Sequence, residues 1–114
     1  MVKRVPLQGD IIKINLDPKT GHEQAWYRPY ICLSNKLISD NANIAIFAPI
    51  SGTKRKYPLY LPLLKTKTSG SVLLDQLVTI DYNAWDFRFV ETVPPAFLHQ
   101  LLSVAAIIFQ PNNV

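Results

Sequence analysis

The chain has 114 residues, enough for one domain over 1–114; 48% apolar residues can fill a core, and 18% charged residues is low for a disordered chain. Twelve Lys and Arg against eight Asp and Glu give a net charge of +4, compatible with an anionic partner without demanding one, and a single cysteine excludes an internal disulfide framework or a Cys-rich metal site. No apolar run approaches the ~20 residues of a membrane span, and the opening MVKRVPLQGD has no apolar stretch behind its positive charges, which argues against a secretory leader and for a cytoplasmic protein.

IIKINL (11–16) alternates in part and predicts a strand, and DPKTG (17–21) is a turn signal. YICLS (30–34) predicts a buried strand, with Cys32 as an inert core thiol. NKLISDNAN (35–43) suits a turn or short helix, and NIAIFAPI (43–50) a central strand. SGTKRK (51–56) is a basic loop. YPLYLPLL (57–64) alternates, but Pro58 and Pro62 demote it to an edge strand. KTKTSG (65–70) is a second basic loop, SVLLDQLVTID (71–81) predicts one long strand, and FRFVETV (87–93) a last short one. Pro94 and Pro95 suit the first turn of a helix. Beyond them Phe97, Leu101, Val104, Ala105 and Ile108 recur at helical spacing, while Leu98, Leu102 and Phe109 form a second apolar stripe. Such a helix can pack on the sheet and on a partner subunit, and Pro111 ends it. Many strands and one terminal helix predict a mainly β protein, a small, strongly bent SH3-like β-barrel.

The connector GHEQAWYRP (21–29) stands out because a plain loop would use Ser, Asn, Asp and Gly. If it folds back, Glu23 and Arg28 can flank one small site. A carboxylate accepts a proton from a hydroxyl, and a guanidinium clamps a phosphate with two parallel hydrogen bonds. Those groups suffice in principle to cleave RNA through its own 2′-OH without a metal, leaving a 2′,3′-cyclic phosphate and a 5′-OH and sparing DNA.

The segment GDIIKINLDPKTGHEQAWYRPYICLS resembles the opening of the MazF/PemK (Kid) family of toxin endoribonucleases of type II toxin–antitoxin systems. The matching positions are Gly9, Asp10, Asp17, Pro18, Gly21, Glu23, Gln24, Arg28 and Pro29. Two later blocks agree: API-SG (48–52), and LLDQLVTID (73–81) through Asp75, Gln76, Thr79 and Asp81; VETVPPAFL resembles the approach to the family's C-terminal helix. The resemblance covers nearly the whole chain. It implies a CcdB/PemK-type β-barrel homodimer with a C-terminal α-helix, metal-independent and cofactor-free cleavage of single-stranded RNA, often mRNA, at a short sequence, and a cognate antitoxin that covers the RNA groove. It implies a catalytic Arg28 that stabilises the phosphorane. It further implies that Glu23 and Asp75 are rival general bases, that Ser51 contacts the scissile phosphate and that His22 assists.

The sequence also departs from that pattern. Leu73 stands where PemK-like members carry a catalytic arginine, and Val78 replaces an arginine common before the threonine. Trp26 and Tyr27 replace small residues and can stack unpaired bases or shield the site. Thr53, Lys54, Arg55 and Lys56, beside Ser51, are candidates for the RNA backbone, and Gln24, Gln76 and Thr79 complete the RNA-binding set. Two other functions fit the same fold: a non-catalytic homologue that binds RNA or antitoxin, and a CcdB-like gyrase-binding toxin. The second is disfavoured, because binding gyrase needs no phosphate clamp in this loop.

Overall fold

The computed structural model describes residues 4–17 and 27–112. Seven strands run in chain order as β1 (Asp10–Ile14), β2 (Arg28–Cys32), β3 (Ile44–Ser51), β4 (Tyr60–Pro62), β5 (Ser71–Leu73), β6 (Val78–Asp81) and β7 (Phe87–Thr92). A short helix, α1 (Lys36–Ser39), follows β2, and α2 (Pro95–Ile108) closes the described chain. The strands form one antiparallel sheet in the order β4-β5-β3-β2-β1-β7, and β6 also pairs with β3.

β1 is paired along both edges, by β2 and β7, and each of its faces is covered by a hydrophobic core. That is why DIIKI is apolar nearly throughout rather than strictly alternating. Ile11 points into a core with Ile31, Ala48, Ile50, Val72 and Leu74, and α2 covers this core with Phe97, Leu101 and Ala105. Ile12 and Ile14 point the other way, into a core with Cys32, Ala45, Phe47, Ile80 and Tyr82. Phe47 and Leu101 are completely buried; each such side chain contributes roughly 1.5–3 kcal/mol through removal from water. Burial also raises the Cys32 thiol to about 11, opposed in part by its contact with the Ser34 carbonyl at 3.6 Å, so it is the inert core group the sequence suggested.

Two expectations are corrected. The segment 71–81 is two strands, not one. Val72, Leu73 and Leu74 are buried in succession, which a straight strand with alternating faces cannot achieve. The chain turns at Leu74–Gln76, where the Gln76 N–H donates to the Leu73 carbonyl at 3.2 Å. β5 then pairs with Ile50–Ser51 and β6 with Ile44–Phe47, so two short strands share one edge of β3. The second correction concerns closure. The fold is mainly β, with the terminal helix as expected, but the hydrogen-bonded path of its sheet stays open between β4 and β7.

A carboxylate bridges the gap. Glu91 on β7 accepts from the Lys67 N–H (3.0 Å, Oε1), the Thr68 N–H (2.8 Å, Oε2) and the Thr68 hydroxyl (2.8 Å, Oε2). This ties the loop between β4 and β5 to the opposite end of the sheet. Partial burial alone would raise the Glu91 carboxyl, but these bonds and the Lys67 charge outweigh it and hold it below its ordinary 4.5. A depressed carboxylate adds stability above its unfolded value and loses it as pH falls through the folded one. Thermal unfolding should therefore show wild type weakening as pH drops below 4.5, and Glu91→Gln, weaker at neutral pH, should show a flatter acid limb. Parallel acid limbs in the two proteins would refute the staple.

The helix α2 begins with Pro95 at its first position, where a missing N–H costs nothing, and Pro94 before it. Of its second apolar stripe, Phe109 is exposed and Leu98 and Leu102 are half-buried in the single chain; Ile107 and, from the first stripe, Ile108 are exposed as well. Among the described residues, no helix is long and apolar enough to cross a membrane.

Candidate active site

Arg28 opens β2, and its side chain is exposed. In the β2–β3 ladder Tyr30 faces Pro49 and Cys32 faces Phe47. Continuing that register by two residues sets Arg28 across from Ser51, the last residue of β3. The two also share a face. Arg28 alternates in phase with Tyr30 and Cys32, Ser51 with Phe47 and Ala45, and Cys32, Ala45 and Phe47 belong to one core. The electrostatics agree: burial pushes the Tyr30 phenol up, and the Arg28 guanidinium draws it partly back. The continued register thus sets residues 23 apart in sequence opposite one another at one end of the sheet.

The Ser51 hydroxyl accepts from the Thr53 N–H at 3.3 Å, and the Thr53 hydroxyl accepts from the Arg55 N–H at 3.2 Å. These consecutive hydroxyl turns shape the loop after β3 and leave Lys54, Arg55 and Lys56 exposed. Arg55 lies over the Tyr57 ring at 4.7 Å and the Tyr60 ring at 5.8 Å, and Gln76 donates to the Tyr60 hydroxyl at 3.3 Å. The structure therefore gathers Arg55 and Gln76 around two tyrosines that the sequence reading did not single out.

Asp75 is exposed in the turn between β5 and β6. β3 separates those strands from β2, so Asp75 stands on the far side of β3 from Arg28. Thr79 is exposed on β6, opposite Ile46. Leu73 is 7% exposed and pairs with Tyr60. Its neighbours Val72 and Leu74 belong to the helix-covered core, whereas Leu73 itself is grouped with neither core. Val78 packs against the other core. Tyr27 corrects an expectation: at 8% exposure it is packed, and so does not offer the open ring that base stacking requires. His22, Glu23, Gln24 and Trp26 lie outside the described residues.

A groove of about 460 Å³ runs beside Arg28, bordered by Lys13, Tyr27, Pro29, Lys67, Thr68, Ser69 and Val90. Its construction is tertiary. Lys13 pairs with Pro29 across β1 and β2. Val90 is the extra residue of a bulge in β7, where Ile11 faces Glu91 but Ile12 faces Phe89. Glu91 fixes the 67–68 backbone at the rim. The sequence signals for this wall were a lysine interrupting the apolar run of β1 and the basic loop KTKTSG (65–70). Among the described residues, no three His, Cys, Asp or Glu side chains converge as a cation site would require.

The fold is that of a small, mainly β protein with an arginine and a serine at one end of its sheet. Compared with known proteins, residues 7–109 match the model of the PemK-like, MazF-like toxins of type II toxin–antitoxin systems. The chain is 32% identical over 96 residues to the endoribonuclease toxin MazF of Escherichia coli K12, covering 83% of this chain and 86% of that protein. It is 26% identical over 100 residues to the Escherichia coli endoribonuclease PemK, covering 83% and 75%. The chain belongs to the PemK/MazF toxin family. Among solved structures, MazF in a MazE–MazF crystal from Deinococcus radiodurans superposes with a TM-score of 0.80 at 18% identity, covering 96% of this chain and 100% of that one. MazF alone from the same organism gives 0.77 at 23% identity, covering 93% and 97%.

Proposed function

We propose that this chain is a one-domain endoribonuclease toxin that cleaves single-stranded RNA, including mRNA, at a short sequence and is silenced by a cognate antitoxin. It works as a homodimer in the cytoplasm and needs no metal. The observation that supports this reading is the β2–β3 register, which when continued by two residues sets Arg28 across from Ser51, in a chain of this family.

A general base, Glu23 or Asp75, takes the proton from the ribose 2′-OH, and His22 assists. The 2′-oxygen attacks the neighbouring phosphorus, and the bond to the 5′-oxygen breaks. That oxygen leaves with a proton from an acid or from water, giving a 2′,3′-cyclic phosphate and a 5′-OH. The attack is intramolecular, so the reacting atoms are already close. What the protein adds is charge stabilisation. The planar fork of Arg28 matches two phosphoryl oxygens, and the Ser51 hydroxyl donates to one of them. A guanidinium stays protonated at neutral pH, which favours an electrostatic role over proton donation. Without an arginine at Leu73, Arg28 carries more of this stabilisation. The basic loop Thr53–Lys56, with Gln24, Gln76, Thr79 and Trp26, holds the flanking chain; Tyr27 supports the site from its packed position.

The test is incubation of purified protein with long single-stranded RNA in EDTA, beside single-stranded DNA. Discrete RNA cuts with cyclic-phosphate ends and untouched DNA are expected. Repeating the pH–rate profile with Glu23→Gln and Asp75→Asn identifies the base as the variant that loses the basic-limb dependence. Intact RNA from folded dimer across varied sequences would overturn the catalytic reading and leave a homologue that only binds.

A further inference from the structure

The groove beside Arg28 has a composition that catalysis at one phosphate does not explain. Lys13, Arg28 and Lys67 border it together with the hydroxyl residues Thr68 and Ser69, and none of its described lining residues is acidic. Lys13 and Lys67 add two positive charges to the groove beside Arg28, which favours an anion there. Glu91 stands behind the rim, but its oxygens are taken by two backbone N–H groups and the Thr68 hydroxyl. Lys67 and Lys13 have no ion pair within 4 Å among the described residues. The carboxylate thus holds the loop and feels the Lys67 charge, but forms no ion pair with either lysine within 4 Å.

We propose that Lys13 and Lys67, with the hydroxyls of Thr68 and Ser69, form a second phosphate subsite that holds the phosphate next to the scissile one in single-stranded RNA. Glu91 is its positioning residue, fixing the backbone at Lys67 and Thr68. This rests on the endoribonuclease reading. The groove is continuous with Arg28, so a strand whose scissile phosphate meets Arg28 continues along it. Point charges mixed with hydroxyl donors suit phosphate oxygens, which take most protein–nucleic acid hydrogen bonds and fix the register of the chain. An acidic peptide is the competing occupant, and the test separates the two.

The experiment uses the full chain as wild type, Lys13→Met, Lys67→Met, Glu91→Gln and, as a control for net charge, Lys36→Met on α1. Binding of a mixed-sequence 2′-O-methyl RNA, which cannot be cleaved through its 2′ position, is measured against salt. Each groove lysine removed should reduce the slope of log affinity on log salt by ~0.7, and Lys36→Met should leave it unchanged. In cleavage assays, the groove variants should raise KM by about two- to fivefold with kcat unaltered. Lys67→Arg should restore KM, and Glu91→Gln combined with Lys67→Met should be no worse than Lys67→Met alone. A purely structural role for Glu91 would lower the folded fraction without moving the salt slope. Slopes equal to that of Lys36→Met would overturn the proposal, as would losses confined to binding of a poly-glutamate peptide. If wild type cuts no RNA, the catalytic reading fails while the binding arm still decides the subsite.

Discussion

Arg28→Ala is expected to lower RNA cleavage by at least ~10²–10³-fold in kcat, the loss seen when one donor to a developing oxyanion is removed. The loss should reach the assay floor, because nothing else described at this end of the sheet offers the same paired donors. The fold should survive. Arg28 is exposed, and its backbone remains paired with Ile14 in the β1–β2 ladder. The change in unfolding free energy should stay within ~0.5 kcal/mol. Arg28→Lys keeps a positive charge but loses the planar fork, so it should recover only part of the rate. Measured single-turnover rates on RNA, with unfolding curves for each variant, check this. Wild-type cleavage by the alanine variant would remove Arg28 from the chemistry and leave Ser51 without its partner.

Gly70→Ala should be the most damaging small substitution near the site. Gly70 has φ +120°, a conformation that side chains rarely adopt, and an added Cβ would lie 2.6 Å from the Ser51 carbonyl oxygen. That oxygen is backbone, so it can yield only by shifting the end of β3. Backbone strain plus the clash should cost about 2–4 kcal/mol, or roughly 10–20 °C in Tm for a domain of this size. The shift also moves Ser51 relative to Arg28, so the folded fraction should cleave more slowly. Gly52→Ala is the control: its Cβ meets nothing within 4 Å, and stability should change by less than ~0.5 kcal/mol. Equal Tm values for the two variants would show that the close approach of Gly70 to Ser51 is unimportant.

The family blocks were legible because their chemistry is local. Gly9 with Asp10 illustrates this. Gly9 has φ +92°, and Asp10 is almost wholly buried while accepting from the Thr92 hydroxyl at 2.8 Å, the Leu7 N–H at 2.9 Å and Arg4 at 3.1 Å. A glycine that frees the backbone and a carboxylate that locks a strand start are visible as residue types in sequence. The partners of Asp10 are not: Thr92 is 82 positions away, and no pattern within a window predicts that contact.

Sequence by itself determined the strand-rich class, the Pro-started terminal helix, the edge character of the strand ending at Pro62, the buried thiol, and the candidate Arg28. Each follows from hydrophobic period, backbone chemistry or a residue type at short range. Tertiary structure alone decided the rest. It split 71–81 where three successive apolar residues had to be buried, and it left the sheet path open with Glu91 bridging its ends. It packed Tyr27 inward and brought Lys13, Arg28 and Lys67 to one groove. The physical reason is common to these cases: strand pairing and bulges set which distant residues become neighbours, and that depends on how both cores fill at once rather than on any one segment.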